Sequence, residues 1–327
     1  MTAPTGAPMP PGARDGQVFE GTSLLVRLAN FVKLPHTVFA LPFALVGVCF
    51  ASAVRLPSLR DIGWVLVAFT AARFAGMGFN RIVDRDVDAR NPRTAMREIP
   101  RGALTVTQAT AAVAVMSGLF IVAAWQLNPL CLALSPIALA WVLGYSYTKR
   151  FTRFSHLWLG LGLGIAPVGG YLAITGAWST PAWWLAALSL AVMTWTGGFD
   201  ILYALQDAEF DRANGLHSLP SAIGVPNAIL VARVLHTLTV VCLAAVVVAD
   251  PLGLAAAPDA TFARALLWLG VALAAALLLW EHRLVRADDL TKLDAAFFTM
   301  NGIISMVFFT CVLGATLLGR GVGVTAG

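Results

Sequence analysis

Two short stretches of this chain gather oxygen-bearing side chains at helical spacing. Asn80, Asp84 and Asp88 stand at i, i+4 and i+8, on one face of a helix. Asp200, Tyr203, Asp207 and Asp211 stand at i, i+3, i+7 and i+11, again on one face. Hard oxygen ligands of this kind suit Mg2+, which keeps several waters and bridges one or two carboxylates to a substrate's phosphates. Two facing stripes could hold such ions around a diphosphate. A single aspartate in a polar loop is ordinarily just solvated. Two matched stripes are another matter, because Asp200 adjoins an apolar run, where an unpartnered charge is costly.

Basic and aromatic groups accompany the carboxylates. Arg93 and Arg97 follow the first stripe within Asn91-Pro92-Arg93-Thr94-Ala95-Met96-Arg97. A guanidinium fork pairs with phosphate oxygens and so neutralises charge developing on a departing diphosphate. Tyr145 and Lys149 form a YxxxK pair on one helix face. Alone, that pair reads as an aromatic belt with a snorkelling lysine; beside two acidic stripes it reads as part of a site. Arg81, Arg85, Arg90 and Arg101 need no explanation beyond the bias of basic residues toward the cytoplasm.

The stripes look like copies of each other. Gly78-Phe79-Asn80 matches Gly198-Phe199-Asp200 at an offset of 120 residues. Asp84-Arg85-Asp86-Val87-Asp88 matches Asp207-Ala208-Glu209-Phe210-Asp211 at an offset of 123. A duplicated four-helix unit followed by one extra helix would produce this.

The elements that hold these residues are set by composition. The 327 residues are 58% hydrophobic and only 12% charged, half the charge of an ordinary soluble domain. Lipid has to replace the missing polar surface. Crossing a bilayer core takes about 20 apolar helical residues. Nine stretches qualify, at roughly 35–54, 61–81, 105–125, 129–147, 156–175, 182–204, 226–249, 262–280 and 295–318. The fifth is the weakest because Gly160, Gly162, Gly164, Gly169 and Gly170 crowd it, although Gly160 and Gly164 form a GxxxG suited to close packing in lipid. The expectation is an all-α polytopic membrane protein with nine transmembrane helices in a single domain over 23–320. A tail over 1–22, rich in Pro and Gly and without the apolar core of a signal peptide, precedes it, and a short tail over 321–327 follows.

Sixteen of the 22 Lys and Arg fall on one side of these spans, four fall on the other, and Arg73 and Arg233 lie within them. That bias puts the N-terminus and both acidic stripes in the cytoplasm and the C-terminus outside; the expected location is a bacterial inner or plasma membrane. The basic residues sit in clusters between apolar runs, so the net charge of +5 does not point to nucleic acid. Cys49, Cys131, Cys242 and Cys311 lie in apolar runs without CxxC spacing, which gives neither a zinc site nor a disulfide framework.

Asn80-x3-Asp84-x3-Asp88, Asp200-x2-Tyr203-x3-Asp207-x3-Asp211 and Tyr145-x3-Lys149 resemble the motifs of the UbiA family of intramembrane prenyltransferases. Arg93-Thr94-Ala95-x-Arg97-x2-Pro100-x-Gly102 is similar to the family segment after its first motif. The resemblance covers about residues 24–318. It implies a nine-helix bundle and transfer of a polyprenyl group from a prenyl diphosphate to an aromatic acceptor. It implies Mg2+ on Asn80, Asp84, Asp88, Asp207 and Asp211, with these aspartates, Lys149 and Tyr145 in the chemistry. Asn80, Arg93, Arg97, Asp200 and Tyr203 are then contacts for the diphosphate and prenyl group. The phrases around Asn80 and Asp200 look most like the 4-hydroxybenzoate branch, with a naphthoate-type acceptor of menaquinone biosynthesis as the alternative. One departure is His217, where many members carry a lysine. A cation-coupled transporter, with the glycine-rich fifth span as a broken helix, is a distant alternative.

Overall fold

The computed structural model describes residues 19–21, 23–33, 37–285 and 300–323, with backbone alone at 37–39, 258 and 320–323. Most of the tail expected over 1–22, the first residues of the span expected over 295–318, and 324–327 of the C-terminal tail lie outside those residues.

Polar side chains start the helices where the sequence supplies them. Ser58 and Asp61 form a capping box at the start of α3 (Leu59–Val83), and Thr105 and Gln108 form another at α5 (Val106–Leu127). Asn128 caps α6 (Pro129–Thr148), whose first residue is proline. These side chains satisfy amide donors that no helical carbonyl can reach. Between the caps, apolar runs continue as helix because in lipid every backbone group must be bonded within the segment.

The remaining elements are α1 (Leu24–Phe31), α2 (Thr37–Ala51), the short α4 (Arg85–Arg90), α7 (Ser155–Thr175), α8 (Trp183–Ala204), the short α9 (Ala208–Ala213) and α10 (Leu219–Ile223), α11 (Val225–Ala249), α12 (Thr261–Leu284) and α13 (Asn301–Gly323). Among the described residues, eight helices are long and apolar enough to cross a membrane, and α2, at 15 residues, is a shorter apolar helix at the place of the first expected span. Large apolar side chains such as Trp125, Ile137, Val241 and Leu279 stand exposed on the outside of the bundle, as expected of a surface wetted by acyl chains rather than water.

The bundle packs around α8, which lies against α7 and α11 and is the most buried of the long helices. In the first half α3 pairs with α5 as α8 pairs with α11 in the second, in line with the duplication. The glycine-rich α7 is unbroken. At Gly160 and Gly164 an added Cβ would run into the Met193 and Ser189 carbonyls of α8. The glycines that weaken the span on paper are what let two backbones touch. Gly160→Val should lower the thermal midpoint in detergent, by the equivalent of about 1–3 kcal/mol for overpacking; a midpoint equal to the wild type's would show that α7 and α8 do not need this contact.

Inside the bundle, Phe43 of α2, Trp195 and Phe199 of α8, and Phe308 of α13 form an aromatic column. Ring centroids are 5.0 Å apart for Phe43 and Trp195, 6.0 Å for Phe43 and Phe308, and 4.9 Å for Trp195 and Phe199. Phe199 immediately precedes Asp200, so the apolar column ends where the second acidic stripe begins.

Candidate active site

Each stripe is bent, not carried on one straight helix as the spacing predicts. α3 stops at Val83, Asp84 adopts φ −92° and ψ 4°, and the chain re-enters a helix as α4. In the second half α8 stops at Ala204, a 3-10 turn covers Leu205–Asp207, and Asp207 sits at φ −98° and ψ 0° before α9. The two central aspartates therefore share one uncommon backbone conformation, in the sparsely populated bridge region where many site residues sit. Helical spacing survives the bend in the first stripe: Asp84 N–H donates to Asn80 O at 2.9 Å and Asp88 N–H to Asp84 O at 2.7 Å.

The segment after the first stripe brings the two together. Arg93 donates from Nε to Asp207 Oδ1 at 2.9 Å, pairs with Oδ2 through Nη2, and donates from Nη1 to Tyr203 Oη at 2.8 Å. Asn91 Nδ2 donates to the same Asp207 Oδ1 at 3.1 Å. Arg97 Nη1 donates to both oxygens of Asp88, at 2.8 and 2.9 Å. Asp84 accepts from Asn80 Nδ2 at 2.9 Å and from Arg150 Nη2 at 3.0 Å.

Tyr145 and Lys149 lie between the stripes. The Lys149 ammonium acts electrostatically on both Asp84 and Asp207, and Tyr145 senses Asp200, Asp84, Arg97 and Asp211. All eleven site residues expected from the sequence thus gather at one end of the bundle. His217 does not join them through its exposed side chain; its backbone N–H donates to Lys149 O at 2.8 Å.

The structure adds residues that sequence reasoning missed. Asn91 belongs to the duplicated segment, matching Asn214 in the second copy, and that match was its available signal. Arg150 is one of the sixteen basic residues on the cytoplasmic side, and it pairs with Asp84. His156 Nδ1 lies 2.6 Å from Asp200 Oδ2, a contact between residues 44 apart with no motif to announce it. Arg81 likewise has a specific partner, Glu98, at 3.0 Å.

The charge balance fits a bound cation. Burial pushes the Asp84 carboxyl above the usual carboxylate range; Arg150 and Lys149 oppose this, and the nearby Asp88 charge adds to it. Asp211 Oδ2 is buried without a hydrogen-bond partner among the described residues. Negative charge therefore remains that the arginines do not offset. Among the described residues, no three His, Cys, Asp or Glu side chains stand close enough to form a metal cage by themselves.

Two bent stripes bridged by an arginine segment, around a tyrosine and a lysine, are joined by a family-level match. The model of the UbiA prenyltransferase family matches residues 40–303. The chain belongs to the UbiA family. It is a membrane prenyltransferase with the all-helical fold of that family. Among its relatives, a 4-hydroxybenzoate octaprenyltransferase of Shewanella sediminis is 32% identical over 200 residues, covering 61% of this chain and 68% of that protein. A protein of the same name from Aromatoleum aromaticum is 28% identical over 291 residues, covering 89% of this chain and 93% of the relative. Among solved structures, a UbiA homolog from Aeropyrum pernix K1 superposes with a TM-score of 0.74 at 31% identity, over 88% of this chain and 98% of that one. A UbiA homolog from Archaeoglobus fulgidus, bound to GPP and Mg2+, gives a TM-score of 0.66 at 20% identity, over 89% of this chain and 99% of the other, and shares the fold.

Proposed function

We propose that this UbiA-family enzyme transfers a polyprenyl group from a prenyl diphosphate to 4-hydroxybenzoate, with Mg2+ held by Asn80, Asp84, Asp88, Asp207 and Asp211. The observation that carries the reading is the convergence of two carboxylate stripes on Tyr145 and Lys149, with arginines bridging them. The acceptor is inferred from the relatives that carry the name 4-hydroxybenzoate octaprenyltransferase. The stripes and their basic residues face the cytoplasm, with the C-terminus outside, because the basic residues concentrate at this end.

Bound Mg2+ supplies positive charge that neutralises the diphosphate and the electron pair it takes on leaving. The chain's own residues do the rest. Arg93 and Arg97 rest on Asp207 and Asp88, and their guanidinium forks can turn to phosphate oxygens when substrate enters. Lys149, between the stripes, stabilises the charge that develops as the allylic C–O bond breaks. The Tyr203 ring, whose centroid lies 5.1 Å from the Arg93 guanidinium carbon, already stands against a cation and presents a face that favours an allylic cation. The ring carbon of the acceptor then attacks, and its proton leaves with a carboxylate or the departed diphosphate. The prenyl chain lies among the helices, below the aromatic column's upper end at Phe199.

The test is turnover by purified protein in nanodiscs, with labelled prenyl diphosphate, Mg2+ and either 4-hydroxybenzoate or a naphthoate-type acceptor. We expect prenylated 4-hydroxybenzoate, with product abolished by chelation of Mg2+ and by Asp84→Ala. Prenylation of the naphthoate-type acceptor alone would reassign the acceptor. No product with either, from protein shown to be folded, would overturn the reading.

A further inference from the structure

Asp200 differs from the other paired carboxylates of the site. Asp84, Asp88 and Asp207 each rest on an arginine, whereas the partner of Asp200 is the buried His156, 1% exposed, at the start of α7. The second ring nitrogen of His156 is also engaged: Leu219 N–H donates to Nε2 at 3.4 Å. A backbone N–H can only donate, so Nε2 is the accepting nitrogen and the ring proton sits on Nδ1. His156 is therefore a donor to Asp200 Oδ2 with both ring nitrogens satisfied, as a fully buried imidazole requires. Among the described residues Asp200 Oδ1 has no hydrogen-bond partner, and the Asp200 side chain is 17% exposed. Of the charged groups acting on Tyr145, Asp200 acts most strongly.

The structure assigns His156 as a positioning residue: it pins Asp200 Oδ2 through its Nδ1–H and leaves Oδ1 turned to the substrate beside Tyr145. The assignment rests on the prenyl-transfer reading above. His156 can do this because α7 and α8 approach closely here; a Cβ on Gly197 would contact the His156 carbonyl. His156 also ties in the loop before α10. That loop is fastened at Leu219 to the imidazole and at His217 to the Lys149 carbonyl. One buried ring thus links the inner carboxylate of the second stripe to the backbone that carries the site lysine. Arginine in its place would neutralise Asp200 and compete with the substrate for it; a neutral donor orients the carboxylate and leaves its charge available.

The experiment is a double-variant cycle in the nanodisc assay. His156→Leu should lower kcat about 10–100-fold, the usual cost of losing the outer partner of a site group, with KM for the prenyl diphosphate little changed. His156→Asn puts an amide N–H near the position of Nδ1 and should restore most of the rate; His156→Gln, which reaches to the Nε2 position, should restore less. In an Asp200→Ala background, His156→Leu should cost almost nothing further, because its effect passes through Asp200. Wild-type kcat in His156→Leu, equal rates for the Asn and Gln variants, or losses that multiply in the double variant would each overturn the assignment. If His156→Leu does not fold, the Asn and Gln comparison alone decides. A wild type that transfers no prenyl group would instead overturn the proposed function, so the two failures are distinct.

Discussion

Asp207→Asn should lower kcat/KM about 10²–10³-fold, the scale seen when one preorganised electrostatic group is lost from a site, while the protein still inserts and folds. Asp207 holds three of the site's connections at once: Arg93 through two nitrogens, Asn91 through its amide, and the electrostatic pull of Lys149. It sits at the bend between the 3-10 turn and α9, so its carboxylate points where neither flanking helix alone could aim it. The asparagine keeps shape and one oxygen but removes the charge that pairs with Arg93 and that, in the proposed function, holds Mg2+. Folding should suffer less than catalysis, because Arg93 keeps its bond to Tyr203 and a side chain 21% exposed, so its charge is not stranded when the carboxylate is lost. Asp86→Asn is the matched control. Its side chain is 79% exposed and, among the described residues, pairs with Arg85 at 3.5 Å, so activity should stay near the wild type's. Single-turnover rates with labelled prenyl diphosphate across a Mg2+ titration separate the two. Retention of more than about a tenth of the wild-type rate in Asp207→Asn would show that the charge is not a source of transition-state stabilisation on that scale.

What could be read in advance follows from which physical signals are local. Apolar length fixed most of the spans: the stretch expected at 226–249 is α11, Val225–Ala249, and that expected at 182–204 is α8, Trp183–Ala204. The stripes were legible because their residues keep helical spacing in the sequence, and in the first stripe that spacing survives in the backbone across the bend. The bends themselves were not, since neither Asp84 nor Asp207 is flanked by the Gly or Pro that would signal one; packing around the site imposes them. The glycines of α7 were misleading, because intrinsic propensity counts them against a helix while their gain, contact with α8, is non-local. Long-range pairings stayed hidden for the same reason. Arg93 and Asp207 are 114 residues apart and His156 and Asp200 are 44 apart, and one sequence carries no sign of either pairing. For Arg81 and Arg150 a sufficient general explanation, the cytoplasmic charge bias, concealed specific partners.

Glu98→Leu should cost the fold about 3–5 kcal/mol, the usual effect of removing one member of a buried ion pair, and should slow catalysis although, among the described residues, Glu98 contacts none of the eleven site residues. Its side chain is fully buried and pairs with Arg81 on α3 at 3.0 Å, where the arginine is 3% exposed, with Arg101 also 3.6 Å away. Glu98 also anchors the segment through its backbone, whose carbonyl accepts from Leu104 N–H at 3.0 Å. Leu104 packs with Phe31, Val32 and Ala109, and Ile82 and Ile99 close over the same cluster. Glu98 follows Arg97 directly, so the ion pair to Arg81 fixes the height at which Arg97 meets Asp88 and Arg93 meets Asp207. Without it, the buried Arg81 guanidinium loses its carboxylate partner, and the bridging segment moves with it. The double variant Arg81→Leu/Glu98→Leu distinguishes charge from packing. With both charges gone the thermal midpoint should recover most of the loss, because apolar replacement of a whole buried pair is often close to neutral. Activity should recover only in part, because leucines fill the space without fixing the angle between α3 and the bridging segment. A Glu98→Leu midpoint equal to the wild type's would mean that Arg81 is held by its other contacts. The segment would then owe its place to the apolar cluster beneath Ile99 and Leu104.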